Sequence, residues 1–553
     1  AALKRQRLDP DVEFVLSAKE RQIAEAMHAA LGIHVSATAQ PAGSPESTGP
    51  FGAARPAMPP VVPGQTFEVR ATFTNRSRTD VGLAGLSLES TDRATRWTIA
   101  PTVNEGGSGT SSPAAPFNEP VVEKFTVTVP ENATLSRPLF SRASLAESRY
   151  SVADERQRYR ASAEGPLELV ARYDVDGVPV EIRRPVTRLE ANLPYGYDTR
   201  VLAVVPALSV TMSPVHAVVA LRHAPGNAAD TRITLKVEVL NNREQGSDGA
   251  LTLKLPAGWK VTPVSQPFRF SGAGERALYS FEVAIPSLED REYRIEAVAV
   301  AGGREYRQGY ATIRHRDLET RYLYRDAVTS VRGVDVTIAP GLSVGYVMGV
   351  GDDVPAHLAQ LGVKVQLLGE RDLASADLGG LDAIVTGTRA YAVRDDLKTY
   401  NRRLLDYVKA GGNLIVLYNT PELVPGQYAP YPGTLSARAE EVSEEDSPVE
   451  IVAPGHQVLT WPNRITKSDF EGWVEQRGSK FWDAWDREYT PLIATWDTGQ
   501  RPQKGGWLHA RYGDGHYTYF AYAVHRQLPY GVPGAYRLLA NLLSLNQKAP
   551  PSR

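Results

Sequence analysis

Leu342-Ser-Val-Gly-Tyr-Val-Met-Gly-Val350, closed by Asp352-Asp353, begins the stretch that decides the fold. A short helical pattern over 354–361 follows, then Val363-Lys-Val-Gln-Leu-Leu368 and Leu381-Asp-Ala-Ile-Val-Thr386. A longer helical pattern over 394–410 leads through Gly411-Gly412 into Asn413-Leu-Ile-Val-Leu-Tyr418. Apolar strands alternating with helices read as βαβ units on a parallel sheet buried on both faces. Ligands on such sheets sit beyond the carboxyl ends of the strands. This reading gathers Asp352, Asp353, Arg389, Tyr391 and Asn419 around one crevice as ligand-binding candidates. No complete catalytic constellation is legible there, so no catalytic residue is assigned.

Downstream of Thr420 the clean alternation is lost. The acidic run over 440–446 reads as a solvated loop, and Trp507 to Tyr512 and Tyr517 to Tyr522 read as further strands before a final helix over 535–545. Aromatic residues are dense between Trp461 and Tyr536. Rings flanked by Asp, Glu, Arg and Gln suit a sugar platform, with Trp473 as its candidate, and equally suit a core. His525 follows a strand and is expected at the same crevice with its neighbour Arg526. Asp469, Glu471, Glu475 and Asp483 supply carboxylates, but paired-carboxylate chemistry needs convergence across a bond that spacing alone does not show.

Upstream, two β-rich regions are expected. Thr66 to Thr74 alternates strictly, and further alternating runs lie at 122–129, 167–173 and 178–186, the last two joined by the hairpin signal Asp176-Gly177. Runs at 217–221, 231–240, 250–255, 277–285 and 293–300 form a second set. Short strands separated by turn signals indicate antiparallel β-sandwiches. The division that follows is an N-terminal helix (1–34), a Pro/Gly/Ala/Ser-rich linker (35–63), β-sandwich modules over 64–200 and 201–315, a connector (316–344) and an α/β domain (345–548). The insert 104–116 reads as a loop. The apolar stripe of the first helix (Val12, Val15, Leu16, Ile23, Met27, Leu31) is expected to pack at a domain interface.

The 553 residues carry a net charge of −2 and no cysteine. Near-neutrality gives no electrostatic reason to expect nucleic acid as partner. The missing thiol excludes disulfides, thiolate metal sites and a cysteine nucleophile. No run of about 18 apolar residues marks a membrane span. The opening Ala1-Ala2-Leu3 reads as the start of a processed or partial product.

Leu255-Pro-Ala-Gly-Trp-Lys-Val-Thr-Pro263 resembles the turn of bacterial immunoglobulin-like modules that accompany carbohydrate-active domains, with Trp259 as core anchor or sugar contact. Gly345-Tyr-Val-Met-Gly-Val-Gly-Asp-Asp353, Gly387-Thr-Arg-Ala-Tyr391, Gly411-Gly-Asn-Leu-Ile-Val-Leu-Tyr-Asn-Thr420, Asp469-Phe-Glu-Gly-Trp-Val-Glu-Gln-Arg-Gly478 and Arg526-Gln-Leu-Pro-Tyr-Gly-Val-Pro-Gly-Ala-Tyr536 together resemble the C-terminal region of large bacterial PIG-L (LmbE-like) de-N-acetylases. The resemblance implies an accessory role beside a zinc-dependent deacetylase domain, an N-acetylated glycan as substrate, and a periplasmic or extracellular location. The family's Ala-His-Pro-Asp-Asp hallmark is not in this sequence, so zinc is expected only in the deacetylase domain and no metal ligand is carried over. The α/β domain resembles the flavodoxin-like, class I glutamine amidotransferase-like fold. Active amidotransferases place a Cys on a tight turn after a strand; the corresponding strand here ends in Tyr418-Asn419-Thr420, which has no such thiol.

Overall fold

The computed structural model describes residues 9–44, 56–102, 115–142, 147–152, 154–221, 231–286, 288–289, 291–315 and 318–547. Most of it is β-sheet organised in several separate sheets, and the helices gather towards the C-terminal end. The one long N-terminal helix, Pro10–Leu31, is capped by the Asp9 carboxylate, which accepts the Asp11 N–H at 3.0 Å, and stopped by Gly32 in the left-handed region. Only the C-terminal end of its apolar stripe is covered, with Met27 half-buried. Val12, Val15, Leu16 and Ile23 are all exposed, Ile23 at 69 %. The helix is held instead at its C-terminal end, where buried His28 meets the Tyr173 hydroxyl at 3.1 Å and Glu25 pairs with Arg184 at 2.5 Å.

The first β region has a six-stranded sheet with Thr66–Thr74 between His34–Pro41 and Pro120–Thr128. It faces a three-stranded sheet of Val81–Ser90, Leu167–Val175 and Val178–Pro185. Alternation puts Phe67, Val69, Ala71 and Phe73 on the inner face, in one core with Tyr173. Asp176 and Gly177, both at positive φ, turn the hairpin. His34–Pro41 lies where a linker was expected. Its Val35, Ala37 and Ala39 alternate into the same core, a pattern hidden by small side chains. The loop expected at 104–116 falls largely outside the described residues.

A second pair of sheets shares the next core. Leu208–Ser213, Thr231–Asn241, Arg276–Ile285 and Lys260–Thr262 form one layer. The other runs from His216–Ala220 through Val328–Val334, Glu292–Ala301 and Ser247–Lys254 to Ser265–Phe270. Trp259 is buried here, 5.3 Å from the Tyr293 ring, so it anchors the core. Val328–Val334 comes from the supposed connector; it pairs with two strands of this layer and buries Val331.

The C-terminal sheet has seven strands in the order Lys364–Leu367, Ser343–Val347, Ala383–Thr386, Asn413–Leu417, Gly515–Phe520, Trp507–Tyr512 and Thr490–Pro491. The first five are parallel and the last two antiparallel. Ala383–Thr386 and Asn413–Leu417 are buried at every position, as continuous apolar runs require when both faces are covered. Helices Val354–Gln360, Asp395–Lys409 and Pro533–Leu543 contribute to the same core. The preceding β region abuts this part through His216–Ala220. Val218 joins the core and its N–H donates to Gln360 Oε1 at 3.0 Å, while the His216 ring lies 5.9 Å from that of Tyr530. No described helix is long and apolar enough to cross a membrane.

Candidate functional site

The carboxyl ends of the parallel strands converge on a crevice made by three turns. Asp352 organises them. Its Oδ1 accepts the Tyr346 hydroxyl at 2.7 Å and the Val354 N–H at 3.2 Å, and its Oδ2 accepts the Thr388 N–H at 3.1 Å. The turns touch backbone to backbone: Val350 N–H donates to the Thr388 carbonyl at 3.0 Å, and a Cβ on Gly349 would meet that oxygen at 1.9 Å. Glycine is required at 349 for this approach.

Arg389 follows the strand Ala383–Thr386 with φ +53° and ψ +32°, and its N–H donates to the Tyr418 carbonyl at 2.8 Å. A left-handed conformation is uncommon for a non-glycine residue, and here it lets exposed Arg389 lead directly into the short helix Ala390–Val393. Asn419 is buried and structural: its Oδ1 accepts the Tyr391 N–H at 3.0 Å and its Nδ2 donates to the Leu417 carbonyl at 2.8 Å. Tyr391 is buried as well, its hydroxyl donating to Asn401 Oδ1 at 2.7 Å. Both hold the crevice wall and neither presents a group to a ligand.

His525 opens the short helix Val524–Gln527 and stacks on Tyr418, with ring centroids 6.2 Å apart and planes 20° from parallel. Burial holds its imidazole below the ordinary histidine range, opposed by the charge of Asp352. The Thr388 hydroxyl is buried among these groups with no hydrogen-bond partner. The turns therefore bring Thr388, Tyr418 and His525 together near Asp352; Arg389 lies exposed beside Thr388, its charge acting on Glu422, and Asp353 lies exposed beside Asp352. A cation, a ring stack and a spare hydroxyl suit recognition of a hydroxylated or acidic group. The hub carboxylate already accepts three hydrogen bonds.

Two candidates fall elsewhere. Trp473 is only 4 % exposed, stacks on Phe470 at 5.6 Å and donates its indole N–H to the Asp469 carbonyl at 3.1 Å. It is a core residue, corrected from the sugar platform, and the Arg477 guanidinium lies 5.2 Å above it. Arg526 is tied to Glu475 at the surface. The Asp352, Asp353 and His357 side chains do not form a zinc site. His357 is buried, its Nδ1 2.8 Å from the Tyr536 hydroxyl, while Asp352 is committed to the turns. Among the described residues no group of three or more His, Asp or Glu side chains is placed to hold a metal ion.

One arrangement had no sequence signal. His456, His509 and His516 form a line, with Nε2 to Nδ1 separations of 3.1 and 2.9 Å, capped by Arg511 at 2.7 Å from His516 Nε2. Burial depresses all three, His516 to about 4 and His509 to about 2. His516 pairs with Asn413 at the amino end of the parallel strands, so the line lies at the end of the sheet opposite the crevice.

No family model matches the chain, and no curated protein matches it. Among solved structures it is similar to a cold-adapted β-galactosidase from Rahnella sp. R3, at 17 % identity over 40 % of this chain and 32 % of that one, with a TM-score of 0.26. An exo-β-1,4-mannosidase from Opitutaceae bacterium strain TAV5 gives 13 % identity over 37 % of this chain and 35 % of that one, with a TM-score of 0.23. The chain thus spans about a third of the length of either glycosidase, and likenesses at these scores carry no argument.

Proposed function

We propose that this chain is the substrate-positioning region of a PIG-L-type zinc-dependent deacetylase. In this reading the two β regions are immunoglobulin-like sandwiches, and the C-terminal part is a flavodoxin-like domain of the glutamine amidotransferase-like kind without its nucleophile. The crevice holds the end of an N-acetylated glycan while the zinc chemistry takes place in the deacetylase domain, outside the cell membrane. The observation that carries the reading is the tight turn after the strand Ala383–Thr386. It sets exposed Arg389 on a turn whose backbone bonds to Tyr418, the ring on which His525 stacks, while Asp352 fastens the turns.

Arg389 supplies charge and donors, His525 and Tyr418 a flat edge for a pyranose, and Thr388 a hydroxyl partner. Calorimetric titration of the purified chain with N-acetylglucosamine oligomers tests this. Saturable binding, lost in Arg389→Ala without a change in thermal midpoint, is expected. Oligomer binding that survives both Arg389→Ala and His525→Ala would move the function away from the crevice.

A further inference from the structure

A second site lies away from the crevice, in the first β region. The strands Thr187–Asn192 and Gly196–Val201 pair antiparallel in a register that sets Arg188 directly opposite Arg200, and Glu190 directly opposite Asp198. Like charges placed opposite each other across a strand pair repel. Each arginine answers with an acid two residues away on its own strand: Arg188 pairs with Glu190 at 2.7 Å and Arg200 with Asp198 at 2.6 Å. That leaves an arginine end and an acid end, and they are not served alike. The acid end gains two further donors, Arg314 to Glu190 and the Asn192 amide to Asp198 at 3.3 Å. At the arginine end the further acceptors are neutral, the Met58 carbonyl at 2.8 Å and the Tyr322 hydroxyl at 3.4 Å, both on Arg188.

Both arginines line a cavity of about 840 Å³ between this region and the segment carrying Thr320, Arg321 and Tyr322. Arg188 is only 2 % exposed. The Nε donors of Arg188 and Arg200 and the Thr320 hydroxyl are all buried without a hydrogen-bond partner. Such orphaned groups are uncommon in folded proteins and call for a specific cause. The acids on the same wall are engaged: Glu155 by Arg158, Glu164 by Arg160, Glu319 by Arg321, Asp154 by the Gln157 amide, and Asp92 by Thr95 and the Ala94 and Thr134 amides.

We propose that this cavity binds a sugar-sized organic anion whose carboxylate or phosphate lies against the opposed guanidinium groups of Arg188 and Arg200. Guanidinium edges match the spacing of both oxyanions, and an oxyanion would take the two Nε donors that lack a partner. The volume is that of an organic ligand pocket and far exceeds a bare inorganic ion. The site shares no residue with the α/β crevice and stands or falls independently of the function proposed there.

Isothermal titration of the full chain with glucuronate, glucose 6-phosphate, glucose and inorganic phosphate tests it. One or both sugar anions should bind with 1:1 stoichiometry, and glucose should not; which anion binds identifies the head group. Arg200→Met should weaken binding at least tenfold while the fold persists by circular dichroism, and Arg188→Met should do the same. Arg188 also ties down Met58, so if its variant fails to fold, Arg200→Met decides. Absence of binding by both sugar anions, equal affinity in Arg200→Met, or inorganic phosphate binding as tightly as glucose 6-phosphate would overturn the proposal.

Discussion

Replacing Asp352 by Ala should destabilise the C-terminal part of the chain rather than leave it folded and merely inactive. The variant strips the acceptor from three donors at once: the Tyr346 hydroxyl and the Thr388 and Val354 amides. The Tyr346 ring is fully buried, so its hydroxyl has little recourse to water. A donor left unmatched in a buried setting costs about 1–3 kcal/mol, and bonds to a charged acceptor lie towards the upper end. With half-buried Asp352 admitting some water, the sum is roughly 3–5 kcal/mol. For a unit of this size each kcal/mol lowers the midpoint by about 2–4 °C, so the loss should be on the order of 10 °C. Asp352→Asn keeps the shape and one acceptor oxygen and should fall between the two. Tryptophan fluorescence is the natural assay. Six of the eight tryptophans, at 461, 473, 482, 485, 496 and 507, lie in this part. An Asp352→Ala midpoint equal to that of the parent chain would refute the hub assigned to this carboxylate.

Trp473→Ala should cost about 3–5 kcal/mol, because it empties a packed site beneath Arg477; normal stability with lost glycan binding would restore it as a sugar contact. Stability should fall as pH drops below 6.5. Unfolded histidines then take up protons that native His516 refuses until about 4 and His509 until about 2, giving a slope near 1.4 kcal/mol per pH unit for each. Urea midpoints at pH 7 and pH 5 should show the drop, and His509→Asn with His516→Asn should flatten it. Ile23→Ser should change stability by less than about 0.5 kcal/mol, since the side chain is exposed; a larger loss in chemical denaturation would mean that the stripe is buried in solution.

The parallel sheet was legible because its strands are continuous apolar runs between helical patterns, and tertiary packing left little freedom in how to arrange them. Asp352 and His525 come near each other because strand ends in such a sheet must converge. Their roles were less legible. A carboxylate that fastens turns and one that awaits a ligand have the same letter, and only the three donors around Asp352 separate the cases. Asn419 at a strand end and Trp473 in an aromatic-rich stretch both look available to a ligand until their burial is known. His34–Pro41 was missed because alternating Val35, Ala37 and Ala39 give little hydrophobic contrast. The histidine line and the Arg188–Arg200 pair depend on strand register, which no spacing in the chain encodes.

The most direct measurement of the central claim is acetate release from N-acetylglucosamine oligomers incubated with the purified chain and added zinc, with mass analysis of the recovered oligomers. The account predicts bound oligomers recovered with every acetyl group in place and acetate at the level of buffer. Zinc-dependent acetate production that rises with the concentration of this chain would contradict it.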